Sequence, residues 1–308
     1  MKQNRIEDQM SIKTVGLIGV GLMGHGIGKN ILAKGFKLNV LAHKNRAPIE
    51  SLVGRGAVEA KSIADLVKAS DMLILVVTGS PQVEAIMRGP DGVFAHGKKG
   101  LIIADCSTAE PHSTIALAGE AAALTMHFVD TPMTRTPKEA EAGKLGLMVG
   151  GDVAVLDMID PVLSAFADLI VPTGAVGTAH QVKLINNFLS LAHAAIAAEA
   201  ITVAAKAGVD MEALNKIIMG GGAASTMFGR LINVPLHDDD SHAKFTIRNA
   251  RKDLRYYTNM TEQMPVASFL AEQVHQTYVL ADTLGFGERY VPRLITMMMA
   301  NAGMKPKA

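Results

Sequence analysis

The chain has 308 residues, of which 49% are hydrophobic and 19% charged, and its net charge is +1. This composition excludes a disordered chain, and the length is enough for two domains with sizeable cores. The near-neutral charge lacks the concentrated basic surface that nucleic-acid binding requires. A single cysteine, Cys106, excludes an internal disulfide. We therefore expect a cytoplasmic protein with no nucleic-acid partner.

The most informative stretch is the glycine-rich turn after the first strand-like run. Residues 14–18 are apolar and continue into Gly-x-Gly-x-x-Gly, and a helix-like run follows at residues 25–34. In such a turn Gly19 permits the tight bend, Gly21 lets backbone approach a pyrophosphate, and Gly24 allows close helix–strand packing. The helix N-terminus favours the phosphates through its unpaired N–H groups. This context predicts a dinucleotide-binding site.

Strand and helix patterns alternate through the first half of the chain. The early strands are continuous apolar runs, which is typical of a parallel sheet that is covered on both faces. We predict a doubly wound α/β domain over residues 12–176, after a polar tail at residues 1–11 that lacks the apolar core of a signal peptide. The predicted strands are residues 14–18, 38–41, 72–77, 101–105, 127–130, 146–149 and 169–172.

The pattern changes after Gly177. Residues 178–207 form an apolar, alanine-rich stretch without proline or glycine, which as one helix would be about 45 Å long. Polar residues such as Asn187 and Glu199 interrupt it, so we expect a buried helix and no membrane span. Further helices are predicted at 211–219, 246–263 and 266–284. An all-α domain is therefore predicted over residues 177–308.

The end of the second strand bears on the choice of cofactor. An NAD-preferring site carries an acidic residue there, which holds the ribose hydroxyls. This chain has no acid at that point and instead places His43, Lys44 and Arg46 in the following loop. Lys44 or Arg46 could form a charge-assisted contact with a 2′-phosphate, although all three could also be solvated loop residues. We predict NADP as the preferred cofactor, with NAD as the alternative.

Lys183 and Asn187 lie one turn apart near the start of the long helix, so they share a face. A lysine and an asparagine in an apolar helix are costly unless they have partners. One interpretation is a proton donor beside an amide that orients it or the substrate. The other is a surface lysine with a packing asparagine.

Five motifs occur in a fixed order along the chain, and this order matches one family. Together they resemble the β-hydroxyacid dehydrogenase family, which includes 3-hydroxyisobutyrate dehydrogenase and tartronate semialdehyde reductase. The resemblance covers nearly all of the chain from Ile12 onward and implies a dinucleotide-binding domain, an all-helical domain and a long helix between them that forms the subunit interface. The motifs are residues 19–24, 105–111, 130–132 with 143–145, 183–187 and 252–254.

The resemblance implies a role for each matching residue. Lys183 matches the catalytic lysine, which gives a proton to the carbonyl oxygen in reduction and takes it back in oxidation. Asn187 matches the asparagine that holds the substrate, and Ser107 and Thr108 match the hydroxyl position beside substrate and nicotinamide. Lys252 matches the lysine on the cofactor side, which its neighbour Asp253 supports.

One segment departs from the family pattern. Many members have Ser-Gly-Gly where this chain has Thr134-Arg135-Thr136 after Met133. An arginine there brings a planar fork of donors to the acid-binding position, which suits a sulfonate or a carboxylate. In Arg135-Thr136, together with residues 183–187, the chain resembles sulfolactaldehyde and succinic semialdehyde reductases, whereas Met133-Thr134 differ from that branch. The alternative is a surface arginine paired with Glu139 or Glu141.

We therefore predict an NAD(P)-dependent oxidoreductase that acts on a small β- or γ-hydroxy acid or the corresponding semialdehyde. Imine reduction on the same scaffold and a non-catalytic cofactor-binding protein are the alternatives. We expect a small anionic substrate, no metal, and a homodimer or homotetramer. The predicted substrate contacts are Ser107, Thr108, Arg135, Thr136 and Asn187. The predicted cofactor contacts are Gly19, Gly21, Leu22, Met23, Gly24, His43, Lys44, Arg46, Val77, Thr78, Thr108 and Lys252.

Overall fold

A computed structural model describes residues 12–304, so the predicted tail at residues 1–11 lies outside the described residues. By their internal contacts the residues divide into two units, one up to Lys183 and one from Leu184 onward. The division falls inside one continuous helix. The sequence-based boundary at residues 176/177 marks instead the point where the strand pattern stops.

The first unit is built around a nine-stranded sheet. Its strand order is β3-β2-β1-β4-β5-β6-β8-β7, with β9 also paired to β8. β1 to β6 run parallel, and β6 and β7 pair antiparallel with β8. The strands are β1 Thr14–Ile18, β2 Lys37–Leu41, β3 Val58–Ala60, β4 Met72–Leu75, β5 Ile102–Asp105, β6 His127–Asp130, β7 Met133–Thr134, β8 Leu145–Gly150 and β9 Ala167–Gly174.

Helices cover both faces of this sheet, and two hydrophobic clusters, one for each face, form its core. The doubly wound α/β prediction is thereby confirmed. The helices are α1 Gly24–Ala33, α2 Ala47–Val53, α3 Ile63–Lys68, α4 Ser80–Arg88, α5 Val93–His96, α6 Pro111–Ala123, α7 Pro137–Ala142 and α8 Val153–Leu163.

The second unit is helical. Among its described residues the only β pairing is one isolated bridge between Thr246 and Tyr290. Its core contains Leu254, Tyr278 and Leu294. The helices are α9 Thr178–Lys206, which begins in the first unit, α10 Met211–Met219, α11 Thr226–Leu231, α12 Asn233–His237, α13 Ile247–Gln263, α14 Phe269–Ala281 and α15 Leu294–Asn301.

Helix α9 is the one helix among residues 12–304 that is long and apolar enough to cross a membrane by length and composition. The core helix of a soluble protein meets the same criteria, so this is weak evidence. Asn187, near the start of this helix, is buried and bonded to a carboxylate of the same unit. That arrangement is typical of a packed core helix.

A close contact joins the glycine-rich turn to the segment that contains Arg135. A Cβ on Gly26 in α1 would lie 2.5 Å from the backbone of Ala140 in α7, so the absence of a side chain lets the two helices pack backbone to backbone. Asn30 donates to the carbonyl oxygens of both residues, at 2.7 Å to Gly26 and 3.0 Å to Ala140. The Met133–Thr134 strand, which leads into α7, is thereby fixed relative to the start of α1.

Candidate active site

Steric constraints explain two of the three glycines in the turn after β1. Gly19 has φ of 101°, and a Cβ there would lie 2.0 Å from the carbonyl oxygen of Val76. A Cβ on Gly24 would meet the carbonyl oxygen of Gly19 at 2.1 Å. Gly21 differs, because nothing lies within 4 Å of its Cβ position. That open space is what a pyrophosphate needs to approach the backbone at the N-terminus of α1. The turn therefore fits a dinucleotide.

The other predicted cofactor contacts of this unit surround the same turn. Met23 precedes the first residue of α1, and Leu22 is 68% exposed. Val77 follows β4 and donates its backbone N–H to the hydroxyl of Ser107 at 3.0 Å. This bond ties the loop after β4 to the loop after β5, in which Thr108 is the next residue.

The loop after β2 carries three basic side chains, and one of them already pairs with another residue of the protein. Arg46 donates from both terminal nitrogens to Glu59 on β3, at 3.1 and 3.0 Å, and this pairing lowers the pKa of Glu59. His43 and Lys44 are exposed, and no described residue accepts a hydrogen bond from them. Of the three predicted phosphate contacts, these two are therefore the ones available to a 2′-phosphate.

A buried polar cluster lies where β5, β6 and α9 meet. His180 is fully buried, and its Nε2 lies 3.1 Å from the carbonyl oxygen of Ser107, so Nε2 carries a hydrogen. Its Nδ1 lies 2.8 Å from the hydroxyl of Thr114. The carboxylates of Asp105 and Asp130, also fully buried, lie 4.0 and 3.8 Å from the ring nitrogens. The imidazole thus separates two buried acids.

The two carboxylates also accept hydrogen bonds from backbone N–H groups. Asp130 accepts from the N–H groups of Gly177 at 2.7 Å and His180 at 2.8 Å, which fixes the first turn of α9. Asp105 accepts from the N–H of Ser107 at 2.9 Å. Burial raises the pKa of Asp130, and His180 and these N–H groups oppose that shift. Burial also raises the pKa of Cys106 to about 12, so this thiol is not a nucleophile.

The predicted catalytic lysine lies one turn beyond this cluster. The Nζ of Lys183 donates to the carbonyl oxygen of Met133 on β7 at 2.6 Å. The lysine is thereby directed toward the short strand that precedes Arg135. His180, three residues earlier on the same helix, links the position of this lysine to the Ser107 loop.

Arg135 has an unusual backbone and a partner that the sequence did not suggest. Its φ is 77°, in the left-handed region where glycine is the usual residue. One terminal nitrogen, Nη1, donates to Asp168 at 2.5 Å and to the carbonyl oxygen of Lys144. The suggested pairing with Glu139 or Glu141 is wrong, because these two acids bind other partners. The Nε and Nη2 of Arg135 have no acceptor among residues 12–304.

Glu139 binds a neighbour in the chain, whereas Glu141 binds a distant helix. Thr136 precedes α7 and donates both its backbone N–H and its hydroxyl to Glu139, which forms a capping box. Glu141 instead binds His25 and Lys29 of α1. The hydroxyl of Thr136, a predicted substrate contact, is therefore engaged in holding the start of the helix.

The second unit contains the other two predicted site residues, and they share one carboxylate. Asn187 on α9 donates to Asp253 on α13 at 2.6 Å and is 9% exposed. The Nζ of Lys252 lies 2.9 Å from the other oxygen of Asp253 and 4.8 Å from the centre of the Tyr256 ring. Asp253 therefore orients both residues.

Sequence reasoning missed the cluster around His180. Asp105 and Asp130 lie at the carboxyl ends of neighbouring parallel strands, which meet at one edge of the sheet. A histidine three residues before Lys183 could have been matched with them, because a buried histidine needs polar partners. The partner of Arg135 left no comparable signal, since Asp168 lies 33 residues away.

Comparisons with known proteins agree with this geometry. Residues 14–177 match the family described as the NAD binding domain of 6-phosphogluconate dehydrogenase. Residues 177–297 match the family described as NAD-binding of NADP-dependent 3-hydroxyisobutyrate dehydrogenase. A crystal structure of 3-hydroxyisobutyrate dehydrogenase from Salmonella typhimurium superposes with a TM-score of 0.82 at 25% identity, covering 92% of this chain and 99% of that one.

Two curated relatives add detail. The 2-(hydroxymethyl)glutarate dehydrogenase of Eubacterium barkeri is 35% identical over 210 residues, which are 68% of this chain and 69% of the relative. The 3-sulfolactaldehyde reductase of Escherichia coli is 27% identical over 293 residues, which are 95% and 98% of the two chains.

The fold, the glycine turn and the family matches define a nicotinamide-dependent oxidoreductase with a dinucleotide-binding domain and a helical domain. The chain belongs to the β-hydroxyacid dehydrogenase family. As a member, it transfers hydride between a nicotinamide cofactor and a small hydroxy acid, so the imine-reductase and non-catalytic alternatives are not favoured.

The cluster around His180 makes a testable prediction about positioning. His180→Ala leaves the Ser107 carbonyl and the Thr114 hydroxyl without their imidazole partner, which costs about 1–3 kcal/mol for each unsatisfied group, and it removes the ring that lies between two buried carboxylates. We expect kcat to fall by about tenfold or more in a protein that still folds. His180→Gln, whose amide can reach the same carbonyl, should recover part of the loss. Steady-state kinetics and thermal melting check this, and wild-type kcat and KM in His180→Ala would refute it.

Proposed function

We propose that this enzyme interconverts a small semialdehyde that carries an acid group, either carboxylate or sulfonate, and the matching hydroxy acid, with NADP as the preferred cofactor. The left-handed conformation of Arg135 beside the strand that receives Lys183 carries this proposal. A non-glycine residue held in that region costs roughly 1–2 kcal/mol, and such strain concentrates at functional sites. A cation placed there at that cost suits an anionic substrate.

Lys183 is the proposed proton donor and acceptor. When bound, the nicotinamide supplies or takes up the hydride at the carbonyl carbon. In reduction the Nζ of Lys183 gives a proton to the oxygen that becomes the hydroxyl, and in oxidation it takes that proton back. Its hydrogen bond to the Met133 carbonyl directs the ammonium toward β7.

Arg135 is the proposed recognition residue for the acid group. Asp168 and the Lys144 carbonyl use only Nη1, so Nε and Nη2 remain as a two-donor edge. Two parallel N–H donors match the spacing of carboxylate or sulfonate oxygens. Ser107, Thr108, Thr136 and Asn187 stay predicted substrate contacts, of which Ser107 and Asn187 are already oriented by internal bonds.

The relatives support an acidic substrate. The names 3-sulfolactaldehyde reductase and 2-(hydroxymethyl)glutarate dehydrogenase both describe compounds with an acid group. The sulfolactaldehyde reductase is matched over nearly the full length of both chains.

A homo-oligomer is proposed from the exposed apolar surface of α9. Ile185, Leu189, Ile196 and Val203 are between 45% and 64% exposed, and their spacing places them along one stripe of the helix. Burying such a stripe against a second copy of the chain would remove it from water. The choice between dimer and tetramer and the cytoplasmic location stay predictions.

An activity screen tests the proposed reaction. Wild type and Lys183→Ala are assayed with NADH and NADPH against sulfolactaldehyde, succinic semialdehyde, methylmalonate semialdehyde and tartronate semialdehyde. We expect turnover of at least one acid by wild type, and a loss of about 10²–10⁴-fold in Lys183→Ala, the usual size of a general acid–base contribution. Cofactor binding, followed by fluorescence titration, should stay near normal. Unchanged turnover in the variant would refute the role of Lys183.

Arg135→Ala should raise KM for the acidic aldehyde by about tenfold or more, since a hydrogen bond to a charged group contributes about 1.5–3 kcal/mol. KM for an uncharged aldehyde of similar size should change little. Asp168→Asn is the matched control, because it keeps the guanidinium and removes only an exposed ion pair, with an expected change below about fivefold. An equal loss with both aldehydes in Arg135→Ala would contradict acid recognition.

The cofactor preference is tested at Lys44. Lys44→Ala should raise KM for NADPH by about fivefold, the upper range for an exposed charge pair, and leave KM for NADH unchanged. Lys34→Ala removes another exposed lysine beyond the end of α1 and should change neither value. Equal effects of Lys44→Ala on both cofactors would argue against a contact with the 2′-phosphate.

A further inference from the structure

A basic depression lies between α13 and α14 in the helical unit. Its volume is about 340 Å³, at the lower end of the range for small-molecule sites. Its walls are mainly cationic or titratable, and no acidic side chain contributes to them. They are formed by Arg251, Lys252, Arg255, His275 and Val279.

The positive charge in these walls is only partly neutralised. Arg251 pairs with Asp282 at 3.1 Å, but the same carboxylate also accepts from Arg248 at 3.3 Å. Lys252 pairs with Asp253, which is bonded to Asn187 as well. Arg248 also pairs with Glu288, so Arg251 and Lys252 each keep a carboxylate partner, and the unbalanced charge of the walls is that of Arg255.

Arg255 has no carboxylate within 4 Å among residues 12–304. Its nearest polar partners are the Thr258 hydroxyl at 3.4 Å and Nδ1 of His275 at 3.5 Å, both long and neutral contacts. The side chain is exposed, so water solvates the N–H donors that these two contacts do not use. Its fork of donors therefore faces the depression largely unused.

His275 also lines the depression and is 3% exposed. Burial lowers its pKa, and the charges of Arg255 and Arg251 lower it further, while Glu272 on the same helix opposes them. The imidazole is thus neutral near pH 7 and can gain a proton if a negative charge enters beside it. Three cations and a protonatable ring then line one small volume.

We propose that this depression binds a dianionic tetrahedral oxyanion, the phosphate or sulfate group of a small molecule. Such a group is small enough for the volume and accepts charge-assisted bonds from the guanidinium forks of Arg251 and Arg255. It also neutralises the crowded positive charge of α13. The inference does not depend on the proposed substrate or on the role of Lys183.

Inorganic sulfate is the probe, because it stays a dianion across the pH range of interest. The full-length protein, saturated with NADPH, is titrated with sulfate by calorimetry at constant ionic strength. We expect binding that weakens about tenfold in Arg255→Ala and partly in Arg255→Lys, which keeps the charge but loses the fork. Arg289→Ala, which removes another exposed arginine of the same unit, should bind sulfate as wild type does.

The pH dependence gives an independent readout. Sulfate should raise the pKa of His275, measured by the NMR titration of its ring, so affinity should increase as pH falls from 8 to 6. His275→Ala should remove that increase. Equal sulfate binding by wild type and Arg255→Ala would overturn the proposal. Binding that disappears when NADPH is present would also overturn it, because the anion would then occupy the cofactor's own phosphate site.

Discussion

The geometry of the catalytic half depends on burying one imidazole between two carboxylates. Asp105 and Asp130 end adjacent parallel strands, and neither can remain in a dry interior without compensation, which would cost several kcal/mol. His180 and the first N–H groups of α9 supply it. The start of α9 is therefore determined by the electrostatics of the sheet edge. Lys183 lies one turn later, so its orientation is determined by a buried network of hydrogen bonds and not by a surface loop.

A second constraint acts through small residues. Gly26 permits backbone contact between α1 and α7, and the hydrogen bonds of Asn30 and Glu141 reinforce that contact. The phosphate-side turn and the segment leading to Arg135 thus belong to one rigid assembly within the dinucleotide unit. Such a contact would keep a fixed separation between a bound cofactor and the proposed recognition group, which efficient hydride transfer requires.

Local patterns predicted much of this architecture. β1 and α10 begin and end where the apolar runs and the flanking glycine and aspartate signals indicate. The two-residue strand β7 and the three-residue strand β3 were not predicted, because neither is long enough to show the two-residue alternation of a strand. The glycine turn carried enough local chemistry to be identified, whereas the shared helix face of Lys183 and Asn187 made them candidates whose roles rest on the family resemblance. The His180 cluster and the Arg135–Asp168 pair depend on contacts between distant segments, which no local pattern contains.

Selection for stability and selection for substrate recognition favour different residues at the position of Arg135. Its backbone conformation suits glycine, so glycine at this position would relieve strain and stabilise the fold. The same replacement would delete the cation. Any search for thermostable variants will therefore tend to discard the residue that we propose recognises an acidic substrate, and stability and selectivity will have to be improved at different positions.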